Sequence, residues 1–136
     1  MDYLSKSEND TFKIANKLLK KFPSFHIFGL FGDLGSGKTT FVKGIAKALG
    51  IKRIITSPTF VMMKNYPASQ YNLVHIDAYR LENREDLSDI GFDDLAADEK
   101  NLIFIEWPER VFNQFLSEMK IIKFEYVDEK RRKISF

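Results

Sequence analysis

The residues best suited to chemistry lie in one glycine-rich stretch, residues 32–39 (GDLGSGKT), which has the pattern G-x-x-x-x-G-K-[ST]. Its three glycines let the backbone curl, so that consecutive N–H groups point inward at an anion. The Lys38 ammonium would then contact the β- and γ-phosphates of a nucleotide, and the Thr39 hydroxyl would ligate Mg²⁺. The pattern therefore predicts a phosphate-binding loop.

The segments on either side of this loop have the order that a phosphate site needs. Residues 25–31 (FHIFGLF) form a short apolar run that is typical of a buried parallel strand. Residues 38–49 carry apolar side chains at helical spacing, and Gly50 follows at a position that favours glycine. Strand, loop and helix thus come in sequence, and bound phosphates would lie at the N-terminus of the helix.

Two carboxylates end apolar runs elsewhere in the chain. Residues 102–106 (LIFIE) have the Walker B form, which places Glu106 at the C-terminal end of a central strand, facing the phosphates. Residues 72–77 (NLVHID) end on Asp77 in the same way. Each acid is a candidate Mg²⁺ ligand or base for an attacking water, and the sequence does not separate these roles. The alternative for Asp77 is a helix cap or a turn.

Other polar and aromatic residues near these motifs have both a functional and a structural interpretation. The hydroxyls of residues 56–59 (TSPT) could sense a γ-phosphate, or they could bond the backbone of a proline turn. Trp107 directly follows the Walker B acid, so it could shield the site, meet a partner or belong to the core. His26 and His75 lie in strands and are interpreted as structural.

Composition limits the class of protein. The 136 residues suffice for one domain, 1–136, and the 44% hydrophobic content, with 13 Phe, can bury a sizeable core. A net charge of +2 does not by itself indicate nucleic-acid binding. Without cysteine, disulfides and thiolate metal sites are excluded. Neither a signal peptide nor an apolar stretch of about 18 residues is present, so we expect a cytoplasmic protein with no membrane partner.

The remaining patterns predict the fold class. Helices and apolar strands alternate early in the chain, which favours α/β, and later hairpins make the sheet mixed. The expected fold is a P-loop NTPase with a mixed, largely parallel central sheet, flanking helices and antiparallel hairpins. The predicted elements are a helix capped by Ser7 and running to about Lys20, strands over 53–56, 59–66, 71–78 and 101–106, short helical turns over 84–99 around Gly91, a helix over 109–117, and a closing hairpin of 121–127 with 132–136.

Four motifs together resemble the TsaE family in order and spacing. They are residues 32–40 (GDLGSGKTT), 56–60 (TSPTF), 75–81 (HIDAYRL) and 105–109 (IEWPE). The resemblance covers nearly the whole chain and implies a small bacterial ATPase with ATP and Mg²⁺ as cofactors. It also implies action with the TsaB and TsaD proteins in making threonylcarbamoyladenosine in tRNA. TsaD would perform the carbamoyl transfer, and tRNA would be met indirectly through these partners.

The resemblance also assigns roles to individual positions. It implies Lys38, Asp77 and Glu106 as catalytic residues and Thr39, Asp77 and Glu106 as metal ligands. The implied nucleotide contacts are Asp33, Leu34, Gly35, Ser36, Gly37, Lys38, Thr39, Thr40 and Thr59, with Thr11 and Arg131 near the adenine. Lys6, Ser7 and Lys130 fall at the same flanking places, and Trp107 matches the family tryptophan.

Two other classes of function remain open from the residues. A small-molecule or nucleoside kinase would normally carry an arginine-bearing lid, yet only about 30 residues follow Glu106 and none looks like such an insertion. A GTPase is disfavoured because the guanine motif Asn-Lys-x-Asp is missing. An ATP-gated binding module with little hydrolysis would use the same residues as a hydrolase.

Overall fold

The computed structural model describes residues 1–114 and 117–136, and in these ranges a seven-stranded sheet carries helices on both faces. The elements in chain order are β1 (Asp2–Ser5), α1 (Glu8–Lys21), β2 (Ile27–Phe31), α2 (Lys38–Ala48), β3 (Met63–Pro67), β4 (Asn72–Asp77), α3 (Arg84–Asp89), α4 (Phe92–Ala96), β5 (Asn101–Glu106), a 3₁₀ turn (Pro108–Arg110), β6 (Met119–Tyr126) and β7 (Arg132–Ser135).

The strand order β1-β7-β6-β2-β5-β4-β3 places parallel pairs in the centre and antiparallel pairs at both edges. Strand β2 lies between β5 and β6, and β4 pairs with β5, all in parallel register. The β3–β4 and β6–β7 pairs are antiparallel, as is the pairing of β1 with β7. The predicted mixed, largely parallel sheet with flanking helices is confirmed.

Helices α1 and α2 pack together on one face of the sheet. Helix α1 begins as predicted at Ser7, whose side chain accepts a hydrogen bond of 3.0 Å from the Asp10 backbone N–H. Helix α2 approaches α1 closely at Gly44, where an added Cβ would lie 2.9 Å from the Cβ of Ala15. This close contact fixes the helix that follows the glycine-rich loop.

Alternation along the central strands divides the core into two layers. Phe28 and Phe104 point toward the α1–α2 layer, where their rings stack with centroids 4.6 Å apart. Ile27 and Ile103 point to the opposite face, beneath α3 and α4. Since Glu106 lies two residues beyond Phe104, the period of two places it on the α2 side, at the end of the strand.

The strand predicted over 53–56 is wrong. The segment is irregular, with Ile54 exposed and only Ile55 buried against the core. The segment pairs with none of the seven strands, because Ile55 packs instead into the core on the α1–α2 side, and β3 forms the sheet edge beside β4. Strand β3 itself begins at Met63 rather than at 59, after a turn in which the Met62 N–H donates to the Pro58 carbonyl.

The helix predicted over 109–117 is also wrong where the structure describes it, since only the 3₁₀ turn Pro108–Arg110 forms. Trp107 precedes this turn in a left-handed conformation and supplies no side-chain cap. The neighbours Val111 and Phe112 are both buried under the sheet. Residues 115 and 116 of the predicted helix lie outside the described residues.

Strand β1, which joins the sheet edge beside β7, has no counterpart among the predicted elements. Among the described residues, the helices are all too short or too polar to span a bilayer.

Candidate nucleotide site

The glycine-rich loop connects the end of β2 to the start of α2, as its motif requires. Gly32 has φ +156°, and a Cβ there would lie 2.8 Å from the Phe124 carbonyl oxygen, which is too close. Gly37 has φ +102° immediately before the first residue of α2. Glycine is therefore required at both ends of the loop for steric and conformational reasons.

Lys38 is the buried cation of the site, with 5% of its surface exposed. Its Nζ donates a hydrogen bond to the Gly32 carbonyl and lies 3.9 Å from Glu106 Oε1. The ammonium also lies 4.1 Å from the centroid of the Trp107 ring, a cation–π distance. Burial lowers the pKa of Lys38 from its ordinary value of 10.5, and the nearby carboxylates Glu106 and Asp77 oppose that shift.

The two predicted acids lie side by side. Asp77 and Glu106 are register partners at the ends of the neighbouring parallel strands β4 and β5. Asp77 Oδ2 accepts a hydrogen bond of 3.0 Å from the Thr59 hydroxyl, and Asp77 Oδ1 accepts one of 2.9 Å from the Tyr79 backbone N–H. Both carboxylates are buried, each with 5% of its surface exposed.

Glu106 has a second partner that the sequence interpretation did not include. Its Oε2 lies 2.6 Å from Nε2 of His75, a fully buried histidine on β4. The sequence did contain one indication that His75 lies near the site. His75 and Asp77 are two residues apart in a strand, so their side chains lie on the same face of the sheet. The structural interpretation of this histidine missed its contact with the site.

The acids alone do not form a closed metal site. Within the described ranges, His, Cys, Asp and Glu side chains nowhere form a group of three that could hold a metal ion. The donor set of Thr39, Asp77 and Glu106, all oxygen, nevertheless suits Mg²⁺, which usually binds one or two carboxylates together with waters and substrate phosphates. The residues present therefore fit a magnesium ion that phosphate oxygens complete.

Trp107 and Tyr79 form an aromatic wall next to the acids. Trp107 has φ +58°, a left-handed conformation that is uncommon for a large side chain. Its ring centroid lies 5.3 Å from that of Tyr79. This backbone geometry places the indole over Lys38.

The loop, the acids and the aromatic wall border one cavity of about 960 Å³, which is large enough for a nucleotide. Among the residues proposed from the sequence, those lining it are Thr11, Leu34, Gly35, Gly37, Lys38, Thr39, Thr40, Thr59, Asp77, Glu106 and Trp107, together with Lys6, Ser7 and Lys130. Asp33, Ser36 and Arg131 are not among its lining residues. Ser36 is buried beneath the loop, and the exposed Asp33 accepts from the Ser36 N–H through its carbonyl.

The arginine that contacts the loop is Arg132 rather than Arg131. Arg132 Nε donates a hydrogen bond of 3.0 Å to the Gly35 carbonyl, and its side chain lines the cavity. Arg131 instead pairs with Asp128 at 2.7 Å in the turn of the β6–β7 hairpin. Four adjacent basic residues, 130–133, follow Glu129, so the sequence did not indicate which of them would face the loop.

Fold and motif together define the class of protein as a mixed α/β protein with a phosphate-loop sequence between a central parallel strand and a helix. The family model for the threonylcarbamoyl adenosine biosynthesis protein TsaE matches residues 5–134. The chain belongs to the TsaE family.

Individual relatives cover most of this chain. The tRNA threonylcarbamoyladenosine biosynthesis protein TsaE of Aquifex aeolicus is 33% identical over 98% of this chain and 92% of its own length. The protein of the same name in Bacillus subtilis is 37% identical over 81% of this chain and 68% of its own. The crystal structure of Bacillus subtilis YdiB superposes with a TM-score of 0.71 at 28% identity, covering 98% of this chain and 82% of that one.

Proposed function

We propose that this chain is a Mg²⁺-dependent, ATP-binding and ATP-hydrolysing accessory protein that acts with TsaB and TsaD in threonylcarbamoyladenosine modification of tRNA. This role would place it in the cytoplasm. The observation that carries the proposal is the pairing of Asp77 with Glu106 at adjacent strand ends, in the same cavity as Lys38 and the glycine-rich loop. A binding loop alone would support nucleotide capture, whereas two buried carboxylates beside it also support hydrolysis.

Lys38 and the loop would bind the nucleotide. The loop N–H groups and the α2 N-terminus attract phosphate oxygens, and Lys38 neutralises part of their charge. Thr39, Asp77 and Glu106 would hold Mg²⁺, which when bound lowers the charge on the β- and γ-phosphates. In the proposed arrangement, Lys38 exchanges its bond to the Gly32 carbonyl for bonds to phosphate.

The carboxylates would orient the attacking water. Asp77 is held from two sides, by the Thr59 hydroxyl and the Tyr79 N–H, so its oxygens have fixed directions. A carboxylate fixed in this way can accept a hydrogen bond from a water without reorganising first. The Thr59 hydroxyl donates a hydrogen bond to Asp77, so a γ-phosphate that binds this hydroxyl would also change the hydrogen bonding of Asp77.

The dependence on partners is supported by the exposed apolar side chains around the loop. Leu34, at the tip of the glycine-rich loop, is 94% exposed, and Phe60, next to Thr59, is 81% exposed. An open, wet site screens its own charges and loses catalytic power. The TsaB–TsaD pair would bury these side chains, exclude water and raise the rate of hydrolysis.

The test separates binding from turnover with the variants Asp77→Asn and Glu106→Gln. Both should keep ATP affinity within about tenfold, equivalent to about 1.4 kcal/mol, while phosphate release with TsaB–TsaD falls much further. The matched control is Asp94→Asn, an exposed acid on α4 that should change neither quantity.

Normal phosphate release by both site variants would contradict the proposal. If the wild-type protein binds ATP but releases no phosphate, even with its partners, the result would favour the ATP-gated binding module. Transfer of phosphate to a small acceptor instead of water would favour the kinase.

A further inference from the structure

His75 is a buried imidazole that the proposed function leaves without a role. It is fully buried, whereas His26, the only other histidine, is half-buried and contacts the Asn101 carbonyl through Nδ1. The Nε2 atom of His75 lies 2.6 Å from Glu106 Oε2. Its Nδ1 has no hydrogen-bond partner among the described residues, so the contact with Glu106 is the polar anchor of the ring.

The contact runs diagonally between neighbouring strands. His75 on β4 is in register with Phe104 on β5, and Glu106 follows Phe104 by two residues on the same face. A carboxylate oxygen only accepts hydrogen bonds, so the hydrogen of the ring lies on Nε2 and His75 is the donor. The other tautomer would set two lone pairs against each other and leave a donor without an acceptor in the core.

We infer that His75 is a positioning residue for Glu106, an inference that rests on the proposed function. The bond from His75 engages Oε2 and leaves Oε1 facing Lys38 at 3.9 Å. That distance exceeds the 2.7–2.9 Å of a direct charge-assisted hydrogen bond. His75 therefore keeps Glu106 beside Lys38 without letting the pair close, and Oε1 stays directed into the cavity for a metal ion or water.

Removing the donor tests this role. In His75→Leu, Glu106 loses its anchor and turns toward Lys38, so kcat for ATP hydrolysis with TsaB–TsaD should fall about 10- to 100-fold, the usual effect of losing a group that orients a ligand. The KM for ATP should change less than about fivefold, because the triphosphate carries more negative charge than Glu106 and competes for Lys38. In His75→Gln, the amide places an N–H near the position of Nε2 and should restore most of the rate.

The chain offers a matched control at the other end of the same strand pair. The Asn72 side chain donates a hydrogen bond of 2.9 Å to Asn101 Oδ1, also between β4 and β5, but away from the cavity. Asn72→Leu removes a polar contact between these strands without touching Glu106. It should lower the melting temperature and leave kcat within about twofold of wild type.

A double substitution separates positioning from general stability. Adding His75→Leu to Glu106→Gln should change kcat by less than about twofold, because the two residues act as one unit. Effects that multiply would overturn the inference. A kcat for His75→Gln as low as that of His75→Leu would overturn it as well, and so would a kcat for His75→Leu no lower than that of Asn72→Leu.

Nuclear magnetic resonance tests the contact between His75 and Glu106 independently of ATP hydrolysis. With ¹⁵N-histidine in the nucleotide-free protein, Glu106→Gln should move the His75 Nε2 proton upfield, because a neutral amide oxygen is a weaker acceptor, and should leave His26 unchanged. An unchanged His75 signal would overturn the inference even if ATP hydrolysis is confirmed. A wild-type protein that hydrolyses no ATP with its partners would overturn the proposed function and the positioning role, while the His75 shift would still decide the contact.

Discussion

Replacing Lys38 by methionine should separate nucleotide binding from folding. The methionine keeps a long apolar side chain over Trp107 and removes only the charge. Lys43→Met, on the same helix but not among the residues that line the cavity, is the matched control.

The expected loss of ATP affinity follows from the contacts that the Lys38 ammonium would make with phosphate. A hydrogen bond that involves a charged group contributes about 1.5–3 kcal/mol, so losing two phosphate contacts weakens ATP binding by about 3–6 kcal/mol, roughly 100- to 20,000-fold. Stability should change little, by about 1 kcal/mol or less, because two effects oppose each other. The substitution removes the cost of burying a charged ammonium, the same cost that lowers the pKa of Lys38. Against this, Glu106 loses a cation at 3.9 Å but keeps its contact with His75.

Calorimetry with ATP and GTP measures the affinities, and thermal unfolding measures the stability. Trp107 is the only tryptophan of the chain, so its fluorescence should also change when ATP draws Lys38 away from the ring. An ATP affinity of Lys38→Met within about threefold of wild type would refute the site assignment. A loss just as large in Lys43→Met would refute it too, and a clear preference for GTP would refute the ATP proposal.

Two further predictions concern packing and charge elsewhere in the fold. Gly44→Ala should destabilise the protein by about 1 kcal/mol, because the added Cβ lies 2.9 Å from both the Ala15 Cβ and the Phe12 Cα, and better helix propensity offsets only part of that strain. A higher melting temperature in calorimetry would contradict this. The hydrogen bond from Arg84 holds the pKa of Asp93 below its ordinary value of 3.8. Arg84→Ala should raise that pKa in an NMR titration, and the unmodified pair should stabilise the fold above pH 3.8 and lose that effect as the pH falls; an unchanged pKa would contradict the pairing.

Local patterns sufficed for the parts of the fold that position the loop. Strand β5 has the predicted limits of 101–106, because a continuous apolar run between polar residues is readily assigned. Helix α1 begins at the predicted cap, and α2 begins at Lys38, where the motif places it. The adjacency of Asp77 and Glu106 was likewise foreseeable, since the carboxyl ends of parallel strands lie at one edge.

Features that depend on tertiary contacts were not predictable in the same way. The segment 53–56 has strand composition, but Ile55 packs into the core on the α1–α2 side and the segment pairs with none of the seven strands. Arg131 and Arg132 differ by one position in a hairpin, and one residue decides which side chain faces the glycine-rich loop. The bond between His75 and Glu106 joins residues 31 positions apart, so no local pattern specifies it.

The measurement that tests the central claim most directly is steady-state phosphate release from ATP and Mg²⁺. It should be made with the chain alone, with a purified TsaB–TsaD complex, and with that complex plus tRNA, using Glu106→Gln, which should keep only a residual rate, as the control. We expect slow release by the chain alone, a clear rise with TsaB–TsaD, and loss of that rise in Glu106→Gln. Fast release by the isolated chain that the complex leaves unchanged would contradict the accessory role and favour a free-standing enzyme.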